Sequence, residues 1–527
     1  MNNQFDYIIV GAGSSGCVLA NRLSANPSVK VCLIEAGSHD KSPRIQIPAG
    51  TITLYKSKKY SWNYFSTPQK HLNNRKLHTP RGRALGGSSS MNSMIYIRGA
   101  AADYDGWQAA GCPGWGWNDV LPWFKKSENN RLGQDPALHG TEGELWVDRP
   151  RDPNPLSEMF VAAAERAGVK RSADFNGAQF GGSGIYDVTQ KDAKRLSSYR
   201  AFVAPVISRS NLTLMRDTPV KSLLLKGCAV KGITLAGGET LQAAREVILC
   251  AGSLATPQLL LASGIGPAEA LKAAGITPVC NLPGVGKNLQ DHLDGLVTVR
   301  STSAKTLGFS VKSLPRLLAA PFRYLLQEKG DLTTNYVEAG GFAKTPLAGS
   351  LPDVQFHFVP GYRSHRGRLF EWGHGYAVHT CVLHPKSIGE IRLNKSGQLL
   401  IDFNFLDNIE DARVLIEGIK LARNILADPV FAPIRGKEML PGDKVQTDEE
   451  LLAYIREYAA TVFHPVGTCK MGQDKMSVTD PLSLKVYGVD NLRIADASIM
   501  PILISGNTNA PCIMIGERAA DMIINEQ

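Results

Sequence analysis

A chain of 527 residues has the length of about three domains, or two if it is a large α/β enzyme, and its 43% hydrophobic and 20% charged residues are the composition of a soluble globular protein, which excludes a disordered chain. Lysine and arginine outnumber aspartate and glutamate by 58 to 48; the surplus forms no basic block, so nucleic-acid binding has no support, while contact with anionic lipid or an acidic redox partner stays open. The nine cysteines contain no CxxC pair and fit neither a disulfide framework nor a zinc site, so a reducing compartment is expected. No run approaches about 20 uncharged apolar residues, and the first strand starts near residue 5, which leaves no secretion signal to read. The expected location is cytoplasmic, with at most peripheral contact at the inner membrane.

Residues 5–10 are an Ile- and Val-rich run stopped by Gly11, Gly13 and Gly16 and followed by an apolar helix pattern over 17–23. This reads as buried strand, tight turn and helix. Gly11 permits the turn, Gly13 lets backbone N–H groups approach a pyrophosphate, Gly16 lets helix pack on strand, and the helix N-terminus faces the anion. A second apolar run, 29–34, ends in Glu35, 19 residues after Gly16. An acid there accepts from a ribose 2′-OH and disfavours a 2′-phosphate, which argues against NADP and leaves NAD and FAD open.

Further along, 81–94 sets Gly86, Gly87 and four serines between arginines and an apolar run at 94–98. Small residues at that density let backbone lie against a flat ligand, so a ligand-lining loop is expected rather than a linker. A helix is read at 155–168; the rest of 101–190 is uninformative. Residues 246–252 repeat the design of a buried strand stopped by glycine, with a helix at 254–263, as if the chain returns to the first sheet. The 314–326 segment places Arg316 and Arg323 among leucines, with Pro315 and Pro321 as breakers. Such a basic amphipathic helix can lie on a membrane, but packing near the protein surface is the expected outcome. Alternation at 354–359 and 390–393 points to a second domain with an antiparallel sheet. Helices are read at 411–428 and 448–461, a strand at 491–496, and a last helix from 510 with Pro511 in its first turn.

Neither HExxH, a Walker lysine loop nor a zinc pattern occurs, so no metal site is expected. His374, His379 and His384 recur every five residues, which puts them on no common helical face; they read as solvated or core histidines. His292 could be catalytic or could fix its loop through backbone hydrogen bonds, and the second is preferred. His464 lies in a Pro- and Gly-constrained turn, where an imidazole with an unperturbed pKa of about 6.5 can act as a base. Alone it reads as structural. A second polar turn at 506–511 tips the balance, because Asn507 offers both donor and acceptor to a small polar group.

These segments, in this order, resemble the glucose-methanol-choline (GMC) oxidoreductases. The resemblance implies FAD and a discontinuous Rossmann-like FAD-binding domain at 1–50, 80–100, 215–300 and 460–527. It also implies a substrate-binding and cofactor-covering domain, an antiparallel sheet backed by helices, at 51–79, 101–214 and 301–459. Carried over by position, Gly11, Gly13, Ser14, Ser15, Gly16, Glu35 and Ala36 hold the ADP end; Arg83, Gly86, Gly87, Ser90, Asn92, Ser93 and Met94 form the loop along the isoalloxazine. Val220, Ala251, Gly252, Asp496, Ala497 and Thr508 complete the cofactor contacts. His464 is the implied general base, taking the hydroxyl proton of an alcohol as hydride leaves for flavin N5, with Asn507 as its partner. Glu338 resembles a substrate-facing glutamate of choline-oxidising members without establishing choline. Met91 stands where some choline oxidases bond a histidine to the flavin, which implies non-covalent FAD. The implied partners are a small alcohol and a quinone or dye-type acceptor. An oxygen-using alcohol oxidase, a non-redox FAD-containing hydroxynitrile lyase and a nucleotide-binding module without catalysis are the competing readings.

Overall fold

In the computed structural model, which describes residues 4–362 and 372–526, the strand Gln4–Val10 lies inside a seven-stranded sheet. It runs parallel to Val31–Ile34 on one side, with Val10 opposite Ile34, and to Thr240–Leu249 on the other, with Val10 opposite Leu249. Leu212–Met215 and Leu492–Ile494 extend the parallel array beyond these neighbours. The hairpin Val220–Lys226 and Ala229–Leu235 joins it antiparallel. The expected returns of the chain near 250 and 495 are therefore present. Ile8, Ile9, Val247 and Ile248 are inaccessible to solvent, as befits parallel strands covered on both faces. The helices Ser14–Leu23 and Asn509–Asn525 pack on each other, and a Cβ at Gly516 would come within 2.9 Å of Ser15 O.

A second seven-stranded sheet runs in the order Arg435–Leu440, Leu293–Ser301, Gly375–Val382, Val354–Val359, Ala339–Ala343 and Gly182–Ile185, with Ala460–Thr461 also on Leu293–Ser301. All its pairings are antiparallel. Pro155–Arg166, Ile409–Leu426 and Asp448–Tyr458 back it. Period-two alternation sorts its side chains: Phe358 stacks on Phe160 of the first of these helices at 4.8 Å, while Asp294, Leu296, His357 and Val359 face a cavity that also reaches the first sheet.

Several expectations need correction. Leu293–Ser301, assigned to the first domain by 215–300, belongs to the second sheet, whereas Leu212–Met215 belongs to the first. The tryptophan-rich 101–127 segment, assigned to the second domain, puts Trp107 and Trp115 into the first domain's core. Strand patterns state which residues are buried and leave open against which sheet. Among the described residues Glu390–Leu393 pairs only with Leu399–Asp402, in a two-stranded sheet apart from the larger one. Cys228 and Cys280, 52 residues apart, form a disulfide that no local spacing announces. The helix Leu314–Gln327 packs at the protein surface as expected, but it buries only Ala320 and Tyr324 and turns its apolar stripe outward.

Candidate active site

One cavity of about 1470 Å³ runs from the glycine turn to the second sheet. At its first end, Gly11 has φ +108° and a Cβ there would lie 2.4 Å from Cys250 O. Gly13 is different. Its φ is −81° and a Cβ would meet only Cys250 O, at 3.8 Å; neither backbone conformation nor packing excludes a side chain, which would project into the cavity. The helix Ser14–Leu23 begins there with no side-chain cap, so its first-turn N–H groups have no partner within the helix. Ser14 Oγ is fixed by Asn509 Oδ1 at 2.7 Å and Ser15 Oγ by Cys512 O at 2.7 Å. Glu35 accepts from Ala12 N at 3.1 Å and Gly37 N at 2.8 Å; burial nevertheless pushes its carboxyl up to about 7.

At the far end His464 sits on a turn clamped from several sides. Asp291 Oδ1 accepts from His464 N and from His292 N, both at 2.8 Å. Arg81 donates to Phe463 O at 2.6 Å, holding Phe463 at φ +74°. The two imidazoles meet edge-on, Nδ1 to Nδ1 at 3.0 Å, and His292 Nε2 lies 3.2 Å from Leu383 O. A carbonyl can only accept, so His292 carries its proton on Nε2. Its Nδ1 must then accept from His464 Nδ1–H, which leaves His464 Nε2 unprotonated, with its lone pair as an acceptor. Asn507 Nδ2 stands 3.1 Å from that nitrogen. Tyr186 Oη donates to Phe356 O at 2.7 Å, leaving Gln355 Nε2 as the donor toward Tyr186 and toward Asn507 Oδ1 at 3.2 Å. The Asn507 amide is thereby turned with its N–H toward His464. Burial, with smaller contributions from His292, His357 and Arg81, holds His464 well below its ordinary 6.5, and burial lowers His292 to about 3. The pair is neutral at physiological pH.

Residues 5–294 and 385–516 match the family models described as GMC oxidoreductase. The chain belongs to the GMC oxidoreductase family. It is 47% identical to an alcohol dehydrogenase [acceptor] of Pseudomonas putida, over 99% of this chain and 96% of that one. It is 40% identical to an oxygen-dependent choline dehydrogenase of Brucella suis, over 98% and 95%. The solved pyridoxine 4-oxidase from Mesorbium loti superposes with a TM-score of 0.89 at 30% identity, covering 99% of this chain and 100% of that one. GMC oxidoreductases bind FAD, and this cavity fits it: the open space at Gly13, the uncapped helix start and the Glu35 acceptor suit a pyrophosphate and a ribose.

Of the residues expected to hold the cofactor, Gly11, Gly13, Ser14, Ser15, Glu35, Ala36, Gly87, Asn92, Ser93, Met94, Val220, Ala251, Gly252, Asp496, Ala497, Asn507 and Thr508 line the cavity. Four stand behind its wall. A Cβ at Gly16 would lie 2.0 Å from Gly11 O, so it serves helix–strand packing. Gly86 N bonds Ala12 O at 2.8 Å and Ser90 Oγ bonds Leu85 O at 2.6 Å, tying the serine loop to the glycine turn. The Arg83 guanidinium lies over the Trp62 ring at 4.9 Å, with Nε buried and unpaired. Glu338 does not face the cavity. It is 1% exposed and accepts from Asn154 N, Ser157 Oγ and Thr334 Oγ1 at 2.5–2.9 Å, so just ahead of the strand Ala339–Ala343 it turns toward the start of the helix Pro155–Arg166.

Sequence reasoning missed Gln355, His357 and the His379–Asp294 pair at 2.9 Å. It also missed buried Arg195, which donates to Asn92 O at 2.7 Å, Ser89 O at 3.1 Å and Thr51 Oγ1 at 2.5 Å. The alternation of 354–359 was the available signal for His357. His374 is held by Thr306 and Ser310, away from the site, and His292 combines its expected backbone bond with direct contact to His464.

Proposed function

We propose that the chain is an FAD-dependent alcohol dehydrogenase that converts a CH–OH group to an aldehyde or ketone, with His464 as general base and Asn507 as its partner. The observation that carries this reading is the one-way hydrogen-bond chain from Leu383 O through His292, which ends on an unprotonated His464 Nε2 beside a donor amide. An alcohol oxygen within reach of both groups gives its proton to Nε2 while the Asn507 N–H steadies the oxygen as negative charge develops on it. FAD, when bound, supplies the acceptor for the hydride that leaves the same carbon. The O–H hydrogen would end on His464 as a proton and the C–H hydrogen on the bound FAD as hydride, so the carbonyl product carries neither. Burial makes that imidazolium costly, so His464 gives the proton up again once product leaves. His464→Ala is expected to slow alcohol-driven flavin reduction by ~10²- to 10⁴-fold while FAD stays bound. Stopped-flow absorbance checks this, and unchanged reduction by the best alcohol would remove His464 from the role.

Electrons pass to a quinone or dye-type acceptor at the cytoplasmic face of the inner membrane; support comes from the Pseudomonas putida relative, whose name specifies an acceptor. An oxygen electrode run beside a dye-reduction assay separates this from an oxidase. FAD is held without a covalent bond, a reading supported by Met91 lining the cavity, since a thioether offers no counterpart to a flavin-bonded histidine. Acid precipitation should then release all of the yellow chromophore, and colour retained in the pellet would contradict it.

A further inference from the structure

The helix Leu314–Gln327 is mounted inside out. Its polar side faces the protein: Arg316 pairs with Asp331 at 2.8 Å and Arg323 with Asp152 at 3.1 Å, and Tyr324 Oη donates to Ala193 O at 3.2 Å. Its apolar stripe faces out. Val311, Leu314, Leu318, Phe322 and Leu325 recur at helical spacing on one face and are 51–76% exposed, with Leu326 beside them; isolated exposed leucines are ordinary, but a continuous stripe marks a contact surface. Trp372, 70% exposed, joins it at the N-terminal end, where it bridges to Phe309.

Charge selects the partner. Residues 301–330 carry five lysines and arginines against one glutamate, and Lys305, Lys312 and Lys329 have no carboxylate partner among the described residues. Two copies meeting here would oppose like charges, whereas an anionic bilayer supplies both hydrocarbon and complementary charge. Among the described residues no helix is long and apolar enough to cross a membrane, so contact through this helix would be peripheral. We propose that Val311–Leu326 with Trp372 is an interfacial anchor, lying in the plane of a bilayer with the leucines and Phe322 in the acyl boundary and the lysines among anionic headgroups. The helix packs on 331–333, which in turn packs on Pro48–Thr53, whose Thr51 and Ile52 line the cavity. The inward side of the anchored helix is thus linked, through 331–333, to one wall of the active site.

The test is sedimentation of the full-length, FAD-loaded protein with phosphatidylcholine vesicles containing or lacking phosphatidylglycerol. Binding is expected to the anionic vesicles and to weaken with salt. Combining Leu318→Ser, Phe322→Ser and Leu325→Ser should lower the partition coefficient ~10-fold or more, with flavin content and melting temperature unchanged. Phe322→Trp should shift its emission to shorter wavelength on the same vesicles. Wild-type protein left in the supernatant, or a triple variant that binds as tightly, overturns the proposal. A dimer that the triple variant dissociates, without vesicle binding, overturns it in favour of self-association. Because binding is read without turnover, the result is independent of which electron acceptor the enzyme uses.

Discussion

At one end of the cavity the chain presents backbone: Gly11, Gly13 and the uncapped start of Ser14–Leu23. At the other it presents side chains held by side chains: His464 by His292, and Asn507 by Gln355. At the first end the groups that face the ligand are neighbours in sequence, with Cys250, Asn509 and Cys512 packed behind them. The second draws on segments near 290, 355, 383, 464 and 507, and each group takes its proton arrangement from the next. An anchor can therefore be local, whereas a base of defined tautomer is a property of the whole fold.

The largest effect is expected where the anchor is broken. Gly11→Ala forces a residue with a Cβ to φ +108° and brings that atom to 2.4 Å of Cys250 O. The conformation alone costs about 1–3 kcal/mol, and the overlap with fixed backbone adds to it. The protein should purify with little flavin and a lowered melting temperature, measured by absorbance at 450 nm and by calorimetry. Full FAD content would show that the turn is more plastic than its geometry states.

The histidine end should fail in the opposite way, keeping FAD and losing rate. His292→Leu removes the acceptor for His464 Nδ1–H and leaves a buried donor unpaired, a cost of about 1–3 kcal/mol. Carried into the barrier, that is a fall of about 10- to 100-fold in flavin reduction. His292→Gln, whose carbonyl oxygen can accept, should recover part of the rate. Equal losses in both variants would mean that His292 acts through packing rather than as an acceptor.

This contrast also explains what the sequence disclosed. The strand–turn–helix at 5–23 and Glu35 were legible because their spacing is their mechanism. So were the returning strands near 250 and 492, whose continuous apolar runs suit only a doubly covered sheet. His464 and Asn507 were singled out by two constrained polar turns and received their roles through family resemblance. Gln355, Arg195 and the His292–His464 contact were invisible, since each depends on partners 103 or more positions away. Glu338 was misplaced for a related reason. A glutamate ahead of a strand reads the same whether it faces substrate or, as here, satisfies Ser157 and Thr334. The 314–327 helix was legible as a surface helix, but periodicity gives the width of an apolar stripe and not the direction it faces.

The smallest expected change is the most discriminating between the two ends. His464 must be neutral to accept a proton, and burial beside His292, His357 and Arg81 holds it well below 6.5. Protonation, and with it loss of rate, begins only as pH falls through that lowered value. Flavin reduction in the loaded enzyme should therefore stay level from pH 8 down to about 6.5, the ordinary histidine value. Glu35 titrates in the interval where His464 does not, because burial raises its carboxyl to about 7. A ribose hydroxyl donates better to the ionised form, so FAD affinity should weaken as pH falls through 7, measured by fluorescence titration of the flavin-depleted protein. A reduction rate falling by half at pH 7 with constant FAD affinity would reverse the assignment and place the titrating group at the base instead of the anchor.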